Sequence, residues 1–168
     1  MSNGSERRLN ASEPRIIVGI DDSPSGLAAL QWAVGQAKSR QAQLVAVRSW
    51  ALDLPRHGGR RHQHLAHPRV VLFFNGAELR SASAKLVRDA FRSATGGQPR
   101  DVAVSIRTPE GDPGAALTSI ATHDGDMIVV GHQQRPSWWR AHHGSVSRYC
   151  RLHARCPVVV VPTGQEAS

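Results

Sequence analysis

Apolar residues cluster in five short runs along the chain, and the first, fourth and fifth runs are apolar at nearly every position. Strands that are buried on both faces have this composition, because neither face meets water. Valine and isoleucine dominate, and their branched side chains favour extended backbone. The predicted strands cover residues 15–20, 42–50, 101–107, 126–131 and 156–161.

Two segments between these runs carry apolar residues at helical spacing. In residues 25–40 the shared face is formed by Leu27, Leu30, Val34 and Ala37. In residues 77–91 it is formed by Leu79, Ala82, Leu86 and Ala90. Ser23-Pro24 and Asp112-Pro113 each place a capping side chain before a proline, which marks a helix start.

Strand and helix therefore alternate, and right-handed crossovers between parallel strands place helices on both faces of one sheet. The predicted fold class is α/β, doubly wound. The chain has 168 residues, a length that suits one domain. We expect polar tails at 1–14 and 163–168, a domain at 15–162, and a long mobile loop at 51–75, where "VVLFF" could form an extra strand, a lid or a partner patch.

Composition narrows the setting and the partners. No run reaches the roughly 18 apolar residues of a membrane span, and no secretory signal is visible, so we expect a cytoplasmic protein without a membrane partner. In that setting Cys150 and Cys156 should be reduced, buried thiols. The formal charge of +8 comes almost wholly from dispersed arginines, which favours a solvated basic surface over a specific nucleic-acid groove.

The loop that follows the fourth run, residues 131–145, is the main candidate for ligand chemistry. Open parallel sheets bind ligands beyond the carboxyl ends of their strands, where strand order reverses. Gly144-Ser145 reads as a helix start, and the free N–H groups and dipole of such a start attract a phosphate. Four basic side chains of this loop could screen further negative charge: Arg135, Arg140, His142 and His143.

Metal and catalytic readings find less support. The histidines at 57, 62, 64 and 67 share no helix face and lack a cysteine pair, so a mobile loop is favoured over a metal site. A lysine-bearing phosphate loop and a serine-hydrolase elbow are both absent, so no catalytic residue is predicted, with slow ATP hydrolysis left open. Packing of Trp138 and Trp139 on the surface or on a dimer mate is favoured over base stacking.

Two stretches resemble the universal stress protein family: "IIVGIDDSPSGLAALQWA" near the start and "DMIVVG...GSVSRYCRLHARCPVVVVP" near the end. The resemblance covers roughly residues 15–162. It implies a five-stranded parallel sheet in the order 3-2-1-4-5, of the adenine nucleotide alpha hydrolase-like kind, and usually a homodimer. It also implies binding of ATP or AMP, with Mg²⁺ only as a companion of the nucleotide.

The family's nucleotide loop has the form G, two residues, G, nine residues, G-S/T. Gly131 matches its first glycine and Gly144-Ser145 match its final pair, whereas Gln134 replaces the middle glycine. A side chain there would crowd the phosphates or push the loop outward. By resemblance, further nucleotide contacts fall on Asp21 near adenine and ribose, on Ser49 where the second-strand backbone meets the base, and on Val130 and Val146 beside the glycines.

The leading hypothesis is a cytoplasmic regulator or sensor in the stress response that binds an adenine nucleotide at the switch point. The alternative is a dimeric protein-interaction module of the same fold that has lost its nucleotide, with the edge of the last strand pairing with its mate.

Overall fold

The computed structural model describes residues 13–51, 75–132 and 146–163. They form a five-stranded parallel sheet in the order β3-β2-β1-β4-β5, which confirms the predicted fold class and strand order. The strands are β1 Arg15–Gly19, β2 Gln43–Val47, β3 Val104–Arg107, β4 Asp126–His132 and β5 Val158–Pro162. The helices are α1 Pro24–Arg40, α2 Gly76–Thr95, α3 Pro113–Ile120 and α4 Val146–His153.

Short-range chemistry sets the helix ends. The Ser23 hydroxyl accepts from Gly26 N at 3.0 Å and caps α1 ahead of Pro24, as the sequence predicts. Asp112 caps α3 in the same way through Ala115 N. Asn75 caps α2 in a capping box with Glu78, and Gly96, at a φ of 73°, ends that helix in the left-handed conformation that glycine tolerates.

The core lies in two layers, one on each side of the sheet. One layer joins the sheet to α1 and α2, with Leu30, Leu44 and Phe91 among its buried side chains. The other joins the sheet to α3 and α4 through Ile17, Leu117 and Cys150 among others. Helices therefore cover both faces, as expected of a doubly wound fold.

The predicted apolar face of α2 is wrong by one residue. The buried positions are Ser83, Val87, Ala90 and Phe91, whereas Leu86 is 37% exposed. Two overlapping stripes run along this helix about 100° apart. The stripe that carries the aromatic Phe91 turns inward, because that ring removes more apolar area from water than the alanines of the other stripe.

At the amino end of the sheet, Arg15 of β1 and Asp126 of β4 form a buried pair. Arg15 donates to both carboxylate oxygens at 2.8 and 2.6 Å and to the Ile120 carbonyl at 2.9 Å. The His123 backbone N–H also donates to Asp126. Burial of the Asp126 carboxylate opposes its ionisation, but these donors outweigh burial and hold its pKa below the ordinary value.

Other expectations meet the structure unevenly. The second and third strands are shorter than predicted, although the β2 extension still forms an isolated bridge between Trp50 and Glu110. Both cysteines are free thiols; Cys150 is fully buried as expected, whereas Cys156 is only half-buried. Nearly all of the predicted tails and of the predicted 51–75 loop lie outside the described residues. Within the described ranges, no helix is long and apolar enough to cross a membrane.

Candidate functional site

The turn between β1 and α1 holds Asp21 over the first turn of the helix. One Asp21 carboxylate oxygen accepts from the Ser23 N–H at 3.1 Å and from the Ser23 hydroxyl at 2.5 Å. Gly26 makes this position sterically available, because a Cβ on Gly26 would overlap that same oxygen. Sequence reasoning missed Gly26, although a glycine inside the first helical turn, where it weakens a helix, is a usable signal.

Gly131, at the end of β4, packs against the same helical turn. A Cβ on Gly131 would lie 2.5 Å from the carbonyl carbon and oxygen of Ser25 and 2.8 Å from the Gly26 nitrogen. The glycine therefore lets the end of β4 touch the backbone of α1. Asp21 and Gly131 are far apart in sequence, and the fold brings both against one short stretch of helix.

Ser49 follows β2 at the same edge of the sheet. Arg48 N donates to Arg107 O and Trp50 N donates to Pro109 O, both at 3.0 Å, so these residues point their peptide groups toward the β3 side. Successive residues of a parallel strand point these groups to opposite neighbours, so the N–H and C=O of Ser49 face the β1 side, where the chain has turned away into α1. Ser49 is half-buried, and across the described ranges no hydrogen bond satisfies it.

Arg48 ties the β2 extension to the β1–α1 turn. Its guanidinium donates to both carboxylate oxygens of Asp22, at 3.2 and 3.0 Å. The Arg48 side chain is 15% exposed and that of Asp22 is 67% exposed, so the pair closes the outer side of the gap beside Ser49. The sequence places both residues after strands but gives no sign of their pairing.

Trp50 fixes the β2 extension from the other side. Its indole N–H donates to the Thr108 carbonyl at 2.8 Å, and its ring packs on Gly76 at the start of α2. Trp50 is almost fully buried. The backbone around Ser49 is therefore held by two well-anchored neighbours, which favours a preorganised arrangement of its peptide groups.

The remaining predicted contacts divide between described and undescribed residues. The Val130 side chain is buried in the α3–α4 layer, so a ligand could reach Val130 only through its main chain. Val146 is the first residue of α4 and packs partly into the same layer. Gly144, Ser145, Gln134, both loop tryptophans and the basic loop residues lie outside the described ranges.

A search for metal-binding groups of three or more His, Cys, Asp or Glu side chains finds none among the described residues. The histidines at 57, 62, 64 and 67 lie outside those residues. The donor set at the carboxyl edge is instead made of one carboxylate, main-chain donors and acceptors, and hydroxyls. Such a set suits hydrogen bonding to an organic ligand better than direct coordination of a metal ion.

Fold and edge together define a doubly wound α/β domain whose candidate site lies where the strand order reverses, between β1 and β4. The model of the universal stress protein family matches residues 14–162. The chain belongs to this family.

The chain is similar to universal stress protein Rv2623 of Mycobacterium tuberculosis, with 30% identity over 155 residues. The match covers 87% of this chain and 46% of that protein, so the chain spans about half the length of the curated relatives it matches. Among solved structures, universal stress protein UspA from Lactobacillus plantarum is 25% identical with a TM-score of 0.58, over 90% of this chain and 99% of that one.

A second solved structure is a universal stress protein in complex with cAMP, at 21% identity and a TM-score of 0.60. The match covers 92% of this chain and 100% of that one. At this level of identity the likeness concerns the fold.

Proposed function

We propose that this chain binds an adenine nucleotide at the carboxyl edge of β1, β2 and β4, and that it acts as a cytoplasmic regulator or sensor in the stress response. The observation that carries the proposal is the pair of main-chain groups on Ser49. A half-buried N–H and C=O without partners favour a ligand with an adjacent acceptor and donor. The Watson–Crick edge of adenine offers a ring nitrogen and an amino group in this arrangement.

Adenosine recognition would then involve two residues. Ser49 N–H donates to a ring nitrogen of the base, and Ser49 C=O accepts from the exocyclic amino group. Asp21 accepts from a ribose hydroxyl, since its carboxylate is held at the neighbouring strand end. Arg48 and Asp22 close the outer side of this pocket without touching the base.

Phosphates would lie toward the end of β4 and the start of α4. The main chain of Val130 and Gly131 contributes on the strand side, and Gly144, Ser145 and Val146 contribute on the helix side. The free N–H groups of a helix start favour a phosphate, and any Mg²⁺ would be held chiefly by the phosphates. The cAMP complex of a fold relative supports a cyclic nucleotide as a test ligand beside ATP and AMP.

Calorimetry and native mass spectrometry with ATP, AMP and cAMP test the proposal. The Asp21→Asn variant should weaken binding by about tenfold, because a carboxylate accepts more strongly than an amide oxygen. Asp124→Asn is the matched control, since exposed Asp124 lies in the turn before β4 at the opposite end of the sheet. Absence of binding by all three nucleotides at millimolar concentration would refute the proposal.

Gln134 gives a separate measure of the phosphate loop. If its side chain crowds the phosphates, Gln134→Gly should tighten ATP binding more than adenosine binding, because only ATP extends to that loop. Equal effects on both ligands would show that Gln134 acts elsewhere. This comparison separates a weakened nucleotide site from an altered loop.

The second candidate function is a dimeric interaction module without nucleotide. It is favoured by β5, an edge strand with β4 as its one neighbour and with half-buried valines along its length. Pro157 O accepts from Ile128 N, so by alternation the Val160 N–H faces the open edge. Val160→Pro removes that donor and should convert a dimer to a monomer in light scattering, whereas a wild-type monomer would rule out this arrangement.

We propose no enzymatic activity for this chain. Turnover of ATP measured by phosphate release, above the rate of an Asp21→Asn control, would contradict that view.

A further inference from the structure

Helix α4 packs one face on the domain and turns the opposite face to solvent. Cys150 points into the core and is fully buried. Tyr149 lies on one flank, where its ring packs against Gly114 of α3 and stacks on His153 with ring centres 4.1 Å apart. At 100° per residue, Arg148, Arg151 and Leu152 fall on the side opposite Cys150, and all three are exposed.

The charge on this side of the molecule has one sign. Helix α4 carries Arg148 and Arg151, Arg155 follows directly, and no acidic residue lies in the helix. The neighbouring helix α3 contains no charged residue. Neither Arg151 nor Arg155 forms an ion pair within the described part of the chain.

Helix α2 offers a contrast. Its Asp89 carboxylate accepts from both Lys85 and Arg92, at 2.9 and 2.8 Å, so its surface charges largely compensate one another. The positive charge around α4 therefore does not follow merely from the basic composition of the chain. It is a local patch without compensating carboxylates on the helix that carries it.

Leu152 lies within this patch and is 68% exposed, more than the other exposed large apolar side chains of the described residues, Leu86 and Tyr149. An exposed leucine flanked by arginines and beside a tyrosine combines an apolar centre with arginine and tyrosine neighbours, the residue types that contribute most at protein interfaces. We name this surface the α4 face and define it by Arg148, Tyr149, Arg151, Leu152 and Arg155.

We propose that the α4 face binds an acidic polypeptide segment that places an apolar side chain over Leu152. Positive charge without local compensation calls for an acidic partner, and Leu152 calls for an apolar contact that a phosphate backbone does not supply. A second copy bound face to face would oppose like charges. One leucine is too little apolar surface for stable attachment to a membrane.

A labelled peptide of glutamates and aspartates around a central leucine provides the probe, with fluorescence anisotropy as the readout. A second peptide with serine in place of that leucine isolates the apolar contact. Binding is measured at low and near-physiological salt, since attraction that depends only on net charge disappears at the higher salt. A short uridine RNA and phosphatidylglycerol vesicles serve as competing anionic ligands.

Three variants divide the contributions. Arg151→Glu should weaken binding of the leucine peptide by about tenfold or more, and Leu152→Ser by about fivefold. Arg80→Glu, on the exposed side of α2, is the matched control for net charge and should change affinity by less than about twofold. Leu152→Ser should also remove the preference for the leucine peptide over the serine peptide.

The proposal holds if the leucine peptide binds near physiological salt and only the α4 variants weaken it. It is overturned if neither peptide binds, if Arg80→Glu weakens binding as much as Arg151→Glu, or if RNA or vesicles bind more tightly than the peptide. Conversion of a wild-type dimer to a monomer by Leu152→Ser would also overturn it, because the α4 face would then be a contact between copies of this chain.

Discussion

Gly131 lies directly against the Ser25 peptide, so the last turn of β4 and the first turn of α1 meet through bare backbone. A Cβ at Gly131 would come within 2.5 Å of the Ser25 carbonyl, closer than any ordinary contact. Because Asp21 sits on the same helical turn, the contact couples the end of β4 to the carboxylate proposed to hold ribose. One glycine thus serves both the packing of the fold and the geometry of the site.

Gly131→Ala should destabilise the protein by about 1–3 kcal/mol, because the added methyl meets rigid backbone on both sides. Urea denaturation followed by circular dichroism measures the change. If the proposed function holds, nucleotide affinity should fall as well, since relief of the clash moves the turn that carries Asp21. Unchanged stability would show that α1 can move away from β4 at no cost.

Gly35→Ala tests the opposite case and is the matched control for the first variant. Gly35 lies inside α1, is exposed, and has no atom within 4 Å of the position that a Cβ would take. Alanine there lowers the entropy of the unfolded chain and should stabilise the protein by about 0.5–1 kcal/mol. A loss of stability would mean that the end of α1 depends on flexibility at this position.

The fold could be predicted well from sequence, because each strand is buried strongly enough to mark itself. Ile16, Ile17 and Val18 are all buried, so β1 appears as an uninterrupted apolar run. The edge strand β3 is only half-buried, and its prediction accordingly extended too far. The orientation of α2 could not be predicted, because two apolar stripes compete and only the packing against α1 and the sheet decides between them.

The candidate site was accessible only in part. Motif resemblance found Asp21, Ser49 and Gly131, each of which lies at the carboxyl edge of the sheet. The pairing of Arg48 with Asp22 and the contact of Gly26 with Asp21 depend on distances between separate segments, which no local pattern encodes. The roles of all these residues toward a nucleotide remain proposals.

Cys150 should resist alkylation in the native protein. It is fully buried, and burial raises the pKa of its thiol to about 11, so little thiolate is present at mildly alkaline pH. With iodoacetamide, Cys150 should react roughly a hundredfold more slowly than a free thiol, and half-buried Cys156 should react faster than Cys150. Trypsin cleaves at Arg151 and Arg155, so mass spectrometry reads the two cysteines on different peptides.

Guanidinium is the control for this measurement, since unfolding should bring both cysteines to similar rates. Rapid native labelling of Cys150 would mean that α4 opens readily from the sheet.

The Arg15–Asp126 pair should make stability depend on pH in the acid range. The pKa of Asp126 is held low in the folded protein, so the unfolded chain takes up a proton first as the pH falls. The stabilisation is complete above the unfolded pKa of about 4 and is lost progressively as the pH falls toward the folded pKa. At neutral pH, Asp126→Asn should cost about 2 kcal/mol, below the usual range for fully buried pairs because the Arg15 side chain is 18% exposed.

Urea titrations of wild type and Asp126→Asn across the acid range measure this effect as the difference between their free energies of unfolding. That difference should shrink as the pH drops below about 4, because the wild type then loses the charge that the variant never had. Asp124→Asn, two residues away and exposed, should show no comparable loss. A gap between wild type and Asp126→Asn that stays constant into strong acid would contradict the prediction, since the pair would then stabilise the fold by hydrogen bonding alone.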